Sequence, residues 1–409
     1  MESKPGRNAS RKTLRVLVVA YACEPGRGSE PGAGWGLVRA VRSFAECTVL
    51  VAPEHTAEIR RHDANHPDPG LSFVEVAEPR WARFAKWHRI PWFLAYLAWL
   101  RRARKVASEL HERRPFEVAH HATYAAFWLP SPVTKIGIPS VWGPVGGAVR
   151  TPRRLWPLLG VRGVVTELVD WGAVWAGSLV PATRRTWRAA SVLLLQNTET
   201  ARRVERVQQV RSTLLNHALF TQVPPVAATR ADYLLWAAPL ESRKGPRLAV
   251  RALARTPEHV RLVMVGDGPE RRAVERLAQR LDVAHRLELR GWVPRDEVLE
   301  LMGGAAGVIF TGLREEGGLA LAEAMLSGAP VIVLAHGGAR TIAERAVDAG
   351  RVALIEPAGL SAAAQEMARA MTRFVDDPPG GSGPLLDQEA ARRELEAAFR
   401  SALEGSPPD

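Results

Sequence analysis

The sequence has little cysteine and no long apolar run. Its 409 residues include only two cysteines, Cys23 and Cys47, which is too few for a disulfide framework and favours a reducing compartment. No stretch reaches the roughly eighteen apolar residues that span a bilayer. The first residues, MESKPGRNASRKT, are basic and polar and lead directly into a strand-like run, so no signal peptide is predicted. We therefore expect a cytoplasmic protein.

Negative charge is scarce in the first half of the chain. Residues 1–217 contain 32 Lys/Arg and 17 Asp/Glu, whereas the remainder contains 23 and 26. The net charge of +12 therefore arises in the first half. A domain this basic favours an acidic partner, namely an anionic lipid surface, an acidic acceptor molecule or a nucleic acid.

Short apolar, β-branched runs alternate with helical patterns along the chain. Strands buried on both faces give continuous apolar runs, which indicates parallel sheets, and 409 residues suit about two domains. We therefore predict an α/β protein with two Rossmann-like domains. The predicted strands are 13–21, 48–52, 71–76, 140–143 and 191–196 in the first half, and 233–238, 260–266, 285–291, 307–312, 330–335 and 352–357 in the second.

The predicted domain boundaries follow segments rich in proline and glycine. LFTQVPPVAATR is a poor helix and suits a linker, and DDPPGGSGP separates a last helical stretch from the rest. We expect a basic tail at 1–12, a first domain at 13–218, a linker at 219–230, a second domain at 231–375, a loop at 376–386 and a C-terminal helix at 387–404.

The segment TGLREEGGLALAEAMLSGAP, residues 311–330, combines three acids with an apolar run and a pair of glycines. Its pattern predicts a strand end, a turn and a helix, so Gly317 and Gly318 fall at the carboxyl edge of a strand, where open α/β sheets bind ligands. Backbone N–H groups at a helix start can bind phosphate, and the flanking Glu315 and Glu323 can reach a sugar and a ribose. The alternative is an acidic first turn that complements the helix dipole.

Further motifs occur in a characteristic order. The second half contains ESRKG, GDGPE, GWVPRDEV, the two acids eight residues apart, and GAPVIVLAHGGARTIAE; the first half contains ACEPGRGSEPGAGW, HHATY and VWGPVGGAV. Together they resemble the motifs of GT-B-fold retaining glycosyltransferases of family 4 (glycosyl transferases group 1), in a subgroup with an N-terminal ACEPGxGSEPGxGW loop. The resemblance covers most of the chain, from residue 13 to residue 375.

The resemblance implies the GT-B fold, with an acceptor domain and a nucleotide-sugar domain facing each other across a cleft and the C-terminal helix packing back on the first domain. It implies that Glu323 holds the donor ribose and that Glu315 faces the donor sugar near its anomeric carbon and acts in catalysis. The turn at Gly317, with the amides of Gly318 and Leu319, is implied to bind the diphosphate.

The resemblance also implies roles for residues outside this segment. Lys244 matches the lysine that neutralises charge on the leaving phosphate, and Gly266 matches a glycine that packs close to the donor. His120 or His121 matches a histidine that reaches the transferred sugar from the opposite domain. The family pattern does not choose between the two histidines, and both fit ordinary residues at a strand end as well.

Two positions depart from the family pattern. The family usually has an arginine shortly before the lysine, where this chain has Ala238 and Pro239. Either Arg243 substitutes for that arginine in donor binding, or the phosphate is held less strongly. The acid loop reads EEGGL where the common form is EGFGL, so Glu316 is expected to add a negative charge beside the donor.

A glycine-rich loop, GRGSEPGAGWG at residues 26–36, follows the first predicted strand and opens a helix. It lacks the spacing of the dinucleotide-binding fingerprint. In the family that the chain resembles, this loop lines the cleft near the acceptor and the donor diphosphate. The corresponding residues are Gly28, Ser29, Glu30, Gly32 and Gly34.

The sequence shows no metal-binding motif, since it has neither an Asp-x-Asp motif nor a His/Cys cluster with ligand spacing. Cations and helix N-termini can stabilise a departing diphosphate without a metal. We therefore expect no cofactor and no metal, with a UDP- or GDP-linked sugar as co-substrate. Family precedent implies retention, with the leaving phosphate helping to deprotonate the acceptor hydroxyl.

The segment at residues 81–106 carries four of the 13 tryptophans, and residues 80–114 contain ten Lys/Arg and two Asp/Glu. Its apolar core of about eleven residues is too short to span a bilayer. Tryptophan with basic residues beside an apolar face suits an interfacial helix on anionic lipid, peripheral at the inner face of the membrane. The alternative is a buried helix of the first domain with solvated ends.

Three classes of function remain. The first is a glycosyltransferase that moves a sugar to a saccharide, lipid-linked or small-molecule acceptor. The second is a nucleotide-sugar epimerase or hydrolase of the same architecture, which products formed without acceptor would distinguish. A nucleic-acid-binding protein would explain the charge, but it leaves the motifs of the second half unexplained and no nucleic-acid module is recognised. We expect the first class and no nucleic-acid partner.

Overall fold

The structure is a computed structural model that describes residues 14–82, 89–205, 211–223 and 232–405, with only the backbone of residues 89 and 90. The predicted basic tail at 1–12 and residues 224–230 of the predicted linker lie outside the described residues. Among the helices that are described, none is both long enough and apolar enough to cross a membrane.

The described strands are short and mostly buried. They are β1 (Leu14–Val19), β2 (Ala45–Val51), β3 (Leu71–Glu75), β4 (Val118–His121), β5 (Ser140–Val145), β6 (Val192–Leu195), β7 (Ser212–Leu214), β8 (Tyr233–Ala237), β9 (Arg261–Val265), β10 (Leu287–Gly291), β11 (Gly307–Phe310), β12 (Val331–Leu334) and β13 (Val352–Ile355).

The α-helices lie between the strands and at the C-terminal end of the described chain. They are α1 (Ser29–Arg42), α2 (Pro53–Asn65), α3 (Arg89–Arg113), α4 (Gly160–Leu179), α5 (Pro181–Ala189), α6 (Thr198–Glu205), α7 (Pro246–Leu253), α8 (Arg271–Arg280), α9 (Arg295–Gly304), α10 (Leu319–Leu326), α11 (Gly337–Ala343), α12 (Leu360–Asp376) and α13 (Gln388–Glu404).

The strands form two parallel sheets, in the orders β3-β2-β1-β4-β5-β6-β7 and β10-β9-β8-β11-β12-β13. Each order reverses once, beside β1 in the first sheet and beside β8 in the second, and ligands of open α/β sheets bind at the carboxyl ends of the strands at such points. The predicted pair of Rossmann-like domains is therefore confirmed. The sequence patterns missed β4, which ends in two histidines, and the three-residue β7.

Helix α13 packs on the first domain, as expected. The Phe399 ring lies 5.4 Å from the Phe44 ring and 5.3 Å from the His120 ring, both edge to face. The Gln388 amide donates to the carbonyls of Leu219 and Thr221 at 2.9 and 2.8 Å. These contacts bury one side of α13 against the first sheet.

Helix α3 contains most of the tryptophan-rich segment that was considered for membrane contact. Tyr96 and Trp99 are buried on the first sheet against Tyr21, with ring centroids 5.3 and 4.9 Å away. The Trp99 indole also donates to the Val76 carbonyl at 2.9 Å. The described part of this segment is therefore a core helix, which agrees with the alternative interpretation. Residues 83–88 lie outside the described residues.

Candidate active site

A cavity of about 530 Å³ lies between the two domains. Its walls come from chain segments that follow the strands of both sheets, which places it at their carboxyl edges. The first domain contributes Ser29 after β1, Tyr124 after β4 and Gln196 after β6, and the second contributes Ala238 after β8 and Gly312 after β11. This is the cleft that the GT-B fold implies.

Glu315 and Lys244 meet as an ion pair on the second-domain wall of the cavity. The Glu315 carboxylate also accepts from the Gly318 amide at 3.3 Å. Burial raises the pKa of Glu315, but the Lys244 ammonium and the Gly318 amide outweigh it, so the pKa lies below its usual value. Glu315 is therefore ionised at neutral pH.

Lys244 is placed by the ends of two neighbouring strands. Its carbonyl accepts from the Thr311 hydroxyl at 2.8 Å, and that hydroxyl accepts from the Trp236 indole at 2.8 Å. Gly245 follows with φ of +65°, and a β-carbon there would lie 2.3 Å from the Thr311 carbonyl oxygen. Only glycine fits this position, so the lysine is held where β8 and β11 run side by side.

The N-terminus of α10 faces the cavity. Gly318 precedes the helix with φ of +65°, and Leu319, Ala320 and Leu321 of the first turn line the cavity together with Gly317. The first amides of a helix have no intrahelical acceptor and carry the positive end of its dipole. This wall can therefore bind an anion beside the Lys244 ammonium.

Glu323 lies one turn further along α10 and is buried. Its Oε1 accepts from both Nη2 and Nε of Arg295, at 2.6 and 3.2 Å. Arg295 is the first residue of α9, and it also donates to the Gln222 carbonyl at 3.3 Å. This arginine lies within the GWVPRDEV motif, for which no residue role was predicted.

Glu316 lines the cavity, but its carboxylate also binds the first domain. It accepts from the amides of Gly147 and Val149 at 2.9 and 3.0 Å and from the Asn197 side chain at 2.9 Å. Burial raises the pKa of Glu316, and these three donors only partly offset that effect. The extra acid of the EEGGL loop therefore joins the two domains.

The first domain supplies a polar wall opposite Gly317. A β-carbon at Gly317 would lie 2.8 Å from both Gln196 Nε2 and His217 Nε2, so no larger side chain fits there without movement. Glu30 accepts from the Tyr124 amide at 2.8 Å and lies 3.9 Å from His217. Burial lowers the pKa of His217, which favours the neutral imidazole.

His120 and His121 do not line the cavity. His120 donates from Nε2 to the Gly143 carbonyl at 2.7 Å, and burial lowers its pKa to about 4. His121 lies 3.0 Å from the Ser131 hydroxyl and 3.2 Å from the Tyr96 hydroxyl, and burial followed by the neighbouring His120 lowers its pKa to about 3. Tyr96, not His121, reaches the cavity wall, so the geometry offers neither histidine to a sugar.

Several of the remaining predicted residues support the cavity from behind. Gly266 packs on the backbone of Ala238, since a β-carbon there would lie 2.0 Å from the Ala238 carbonyl oxygen. Arg243 pairs with Glu241 at 2.6 Å and is not part of the lining. In the glycine-rich loop, Ser29 and Glu30 line the cavity. The predicted glycines of this loop, Gly28, Gly32 and Gly34, do not line the cavity.

The structure thus brings Glu315, Lys244, Gly318 and Glu323 to one cavity, although their roles stay predictions. Sequence reasoning missed Arg295, Gln196 and His217. Arg295 carried a signal, a cation at the start of the helix that follows a glycine turn, whereas nothing in the sequence distinguishes the other two. Within the described residues, no three His, Cys, Asp or Glu side chains are grouped closely enough to hold a metal ion.

Known sequences are similar to this chain mainly over its second domain. Residues 224–391 match the family model "Glycosyl transferases group 1". A 2-deoxystreptamine glucosyltransferase from Streptomyces kanamyceticus is 32% identical over 156 residues, which are 37% of each chain. A D-inositol 3-phosphate glycosyltransferase from Xylanimonas cellulosilytica is 35% identical over 113 residues, which are 27% of each. The matched part thus spans well under half of these relatives.

Comparison with solved structures covers nearly the whole chain. HepE from Anabaena, solved in complex with UDP and glucose, superimposes with a TM-score of 0.57 at 14% identity, over 95% of this chain and 100% of HepE. Sucrose-phosphate synthase from Thermosynechococcus elongatus gives 0.55 at 15% identity, over 96% and 100%. Residues 224–391 are therefore similar to glycosyl transferases group 1 domains, and the chain has the GT-B fold.

Proposed function

We propose that the protein transfers a sugar from a UDP- or GDP-linked donor to an acceptor hydroxyl, with retention and without a metal. The observation that carries the proposal is the convergence of the Glu315–Lys244 pair, the α10 N-terminus and Glu323 on one interdomain cavity, with Arg295 paired to Glu323 behind its wall. The names of the relatives, and the UDP and UDP-glucose bound to HepE, support a nucleotide-sugar donor.

The diphosphate of the donor would lie on the α10 N-terminus. The amides of Gly318 and Leu319 and the Lys244 ammonium supply positive charge at one point of the cavity wall, where leaving-group charge develops in the transition state. Lys244 pairs with Glu315. A diphosphate would therefore share or replace that carboxylate as the partner of the ammonium.

Glu315 would act as a carboxylate. Because the Lys244 ammonium keeps the pKa of Glu315 below its usual value, Glu315 cannot supply a proton at neutral pH. An ionised group near the anomeric carbon would instead stabilise the positive charge that forms there as the glycosidic bond to phosphate breaks. Glu323 would accept from the donor ribose through Oε2, since Arg295 occupies Oε1.

Retention follows from the resemblance to family 4, in which attack and departure occur on the same sugar face. The leaving phosphate then helps to deprotonate the acceptor hydroxyl, so no separate base is needed. The absence of an arginine at Ala238 and Pro239 is not compensated at the cavity by Arg243, which pairs with Glu241 instead. We therefore propose that Lys244 and the helix amides stabilise the negative charge on the leaving phosphate.

The donor is tested by thermal shift with UDP, GDP, ADP and dTDP. A nucleotide at 100 times its Kd stabilises the protein by about 2.7 kcal/mol, and we expect UDP or GDP to do so. Incubation with the corresponding nucleotide sugars, with and without a mixture of acceptors, then separates glycosyl transfer from epimerisation or hydrolysis. Stabilisation by none of the four nucleotides would contradict the proposal.

The charge assignment is tested with EDTA and with Lys244→Ala. Transfer should survive EDTA, and Lys244→Ala should lose most of kcat, by roughly 10²–10³-fold, because a preorganised group that stabilises leaving-group charge contributes about that much. Arg255→Ala, an exposed arginine of the same domain, is the control. Activity that EDTA abolishes and Mn²⁺ or Mg²⁺ restores would show that the cations alone do not suffice.

A further inference from the structure

Helix α4 (Gly160–Leu179) has its apolar residues on the outside. Val161 is 84% exposed and Val169 64%, and Val165, Leu168, Trp171, Trp175 and Leu179 are exposed as well. The buried residues of this helix are Glu167 and Ser178. Arg162 and Asp170 are its other charged residues, and Asp170 pairs with Arg314 at 2.9 Å. A surface this apolar and this poor in charge marks a site of interaction.

Beside α4 lies a second cavity, a groove of about 1430 Å³. Its walls are mainly apolar and come from α3, α4 and the segment between β4 and β5, including Leu97, Trp171 and Val174. Trp92, Phe93 and Trp128 line both this groove and the candidate active site. The groove therefore leads from the exposed face of α4 to the place where transfer would occur.

The groove carries net positive charge. Arg101, Arg104, Lys135, Arg150 and Arg314 line it, against three acids, and none of the first three has an acidic partner within the described part of the chain. Its three acids already have partners. Glu167 accepts from the Thr151 amide and from Arg314, Asp170 pairs with Arg314, and Glu316 accepts from backbone amides.

We propose that this face of the first domain binds an anionic, phosphate-bearing lipid that serves as acceptor, which rests on the proposed glycosyl transfer. The hydrocarbon chain lies in the groove, the phosphate meets Arg101, Arg104 and Lys135, and the exposed face of α4 lies on the bilayer. The acceptor hydroxyl then reaches the active site where the two cavities meet, beside Trp92 and Trp128.

Charge and continuity favour a lipid over a second copy of the chain. The apolar face is bordered by tryptophans and by arginines, a combination that suits the boundary between acyl chains and anionic head groups. A second copy would also cover the mouth of a groove that opens into the active site. The lipid is thus the occupant that uses both features at once.

The bilayer contact is tested by co-sedimentation with vesicles of phosphatidylcholine alone or mixed with phosphatidylglycerol. We expect binding to the mixed vesicles at low salt and release at high salt. The triple variant Val161→Gln, Val165→Gln, Val169→Gln should lower the partition coefficient at least about tenfold. The control replaces three exposed apolar residues elsewhere: Val347→Gln, Leu281→Gln and Leu403→Gln.

The groove is tested with a long-chain alkyl phosphate below its micelle concentration, the neutral alcohol of the same chain, and inorganic phosphate. The alkyl phosphate should bind most tightly, and Arg101→Gln, Arg104→Gln, Lys135→Gln should weaken it by roughly fivefold for each cation. The control removes three cations of α3 that do not line the groove: Arg102→Gln, Lys105→Gln and Arg113→Gln.

The outcomes separate this inference from the proposed function. Normal UDP binding with no binding of vesicles or alkyl phosphate, or with variants that match their controls, overturns the lipid site and leaves the transferase proposal standing. A dimer that the valine variant dissociates, without vesicle binding, shows that the face joins two copies and also overturns it. Vesicle and alkyl phosphate binding in a protein that binds no nucleotide supports the lipid site and contradicts the transferase.

Discussion

Removing the Glu316 carboxylate should loosen the contact between the two domains. Glu316→Ala takes away the acceptor for the amides of Gly147 and Val149 and for the Asn197 side chain. Opening of the cleft lets these groups regain water without a carboxylate partner. We therefore expect the variant to shift from the closed arrangement towards a more open one, without losing the fold of either domain.

The size of the shift follows from three hydrogen bonds and one buried charge. A net contribution of about 0.5–1.5 kcal/mol per hydrogen bond is typical. The raised pKa of Glu316 shows that burial disfavours its charge, so we take the lower part of that range and expect about 2 kcal/mol in total. That corresponds to a change of up to roughly 30-fold in the equilibrium between closed and open arrangements.

Small-angle scattering and UDP titration measure the two consequences. The radius of gyration of Glu316→Ala should increase, and its Kd for UDP should rise by up to roughly 30-fold if the donor requires the closed cleft. The control is Glu344→Ala, which removes an acid that pairs with Arg340 inside the second domain. If both variants show the same radius and the same Kd, the Glu316 contact does not control closure.

Three further changes test other parts of the site and the core. Glu323→Ala should weaken UDP binding by roughly 1–3 kcal/mol through loss of a buried acceptor, whereas Glu315→Ala should lower kcat more than UDP affinity; equal donor kinetics in both variants and wild type would contradict the assignment. Gly317→Ala places a β-carbon 2.8 Å from two side chains of the opposite domain, so it should raise the KM for the donor, and an unchanged KM would show that the cleft is looser. His120 and His121, with pKa values lowered to about 4 and about 3, are protonated more readily in the unfolded chain. Stability should therefore fall as pH drops below about 6.5, by up to about 1.4 kcal/mol per histidine per pH unit, and a melting temperature that does not change between pH 7 and 5 would show that they are not buried neutral.

Most of the strands were predictable because they are buried on both faces, which leaves a continuous apolar run in the sequence. β4 was not, since Val118–His121 ends in two histidines that are nonetheless buried in the middle of the first sheet. The histidines were expected near the sugar because the family resemblance implied it. Their position depends on neighbouring strands that lie far away in the sequence.

The turn and helix of residues 311–330 were predicted correctly at the end of a strand, because they follow that strand, β11, within a few residues. Contacts between the domains gave no such local signal. Glu316 meets Gly147 and Val149 across more than 160 residues, and Gln196 and His217 reach Gly317 in the same way. The exposed apolar face of helix α4 was not predicted for a different reason. An apolar helical pattern does not tell whether that face packs on a core or meets solvent.

Helix α13 means that the first domain is not one continuous stretch of sequence. Phe399 covers Phe44 and His120, so a fragment that ends at residue 218 would expose that surface to water. A domain prepared for separate study would need residues 387–404 joined to it by a new linker. The same return of the chain means that the two domains are tethered twice, and a single proteolytic cut in the predicted linker at residues 219–230 would leave the halves associated through α13.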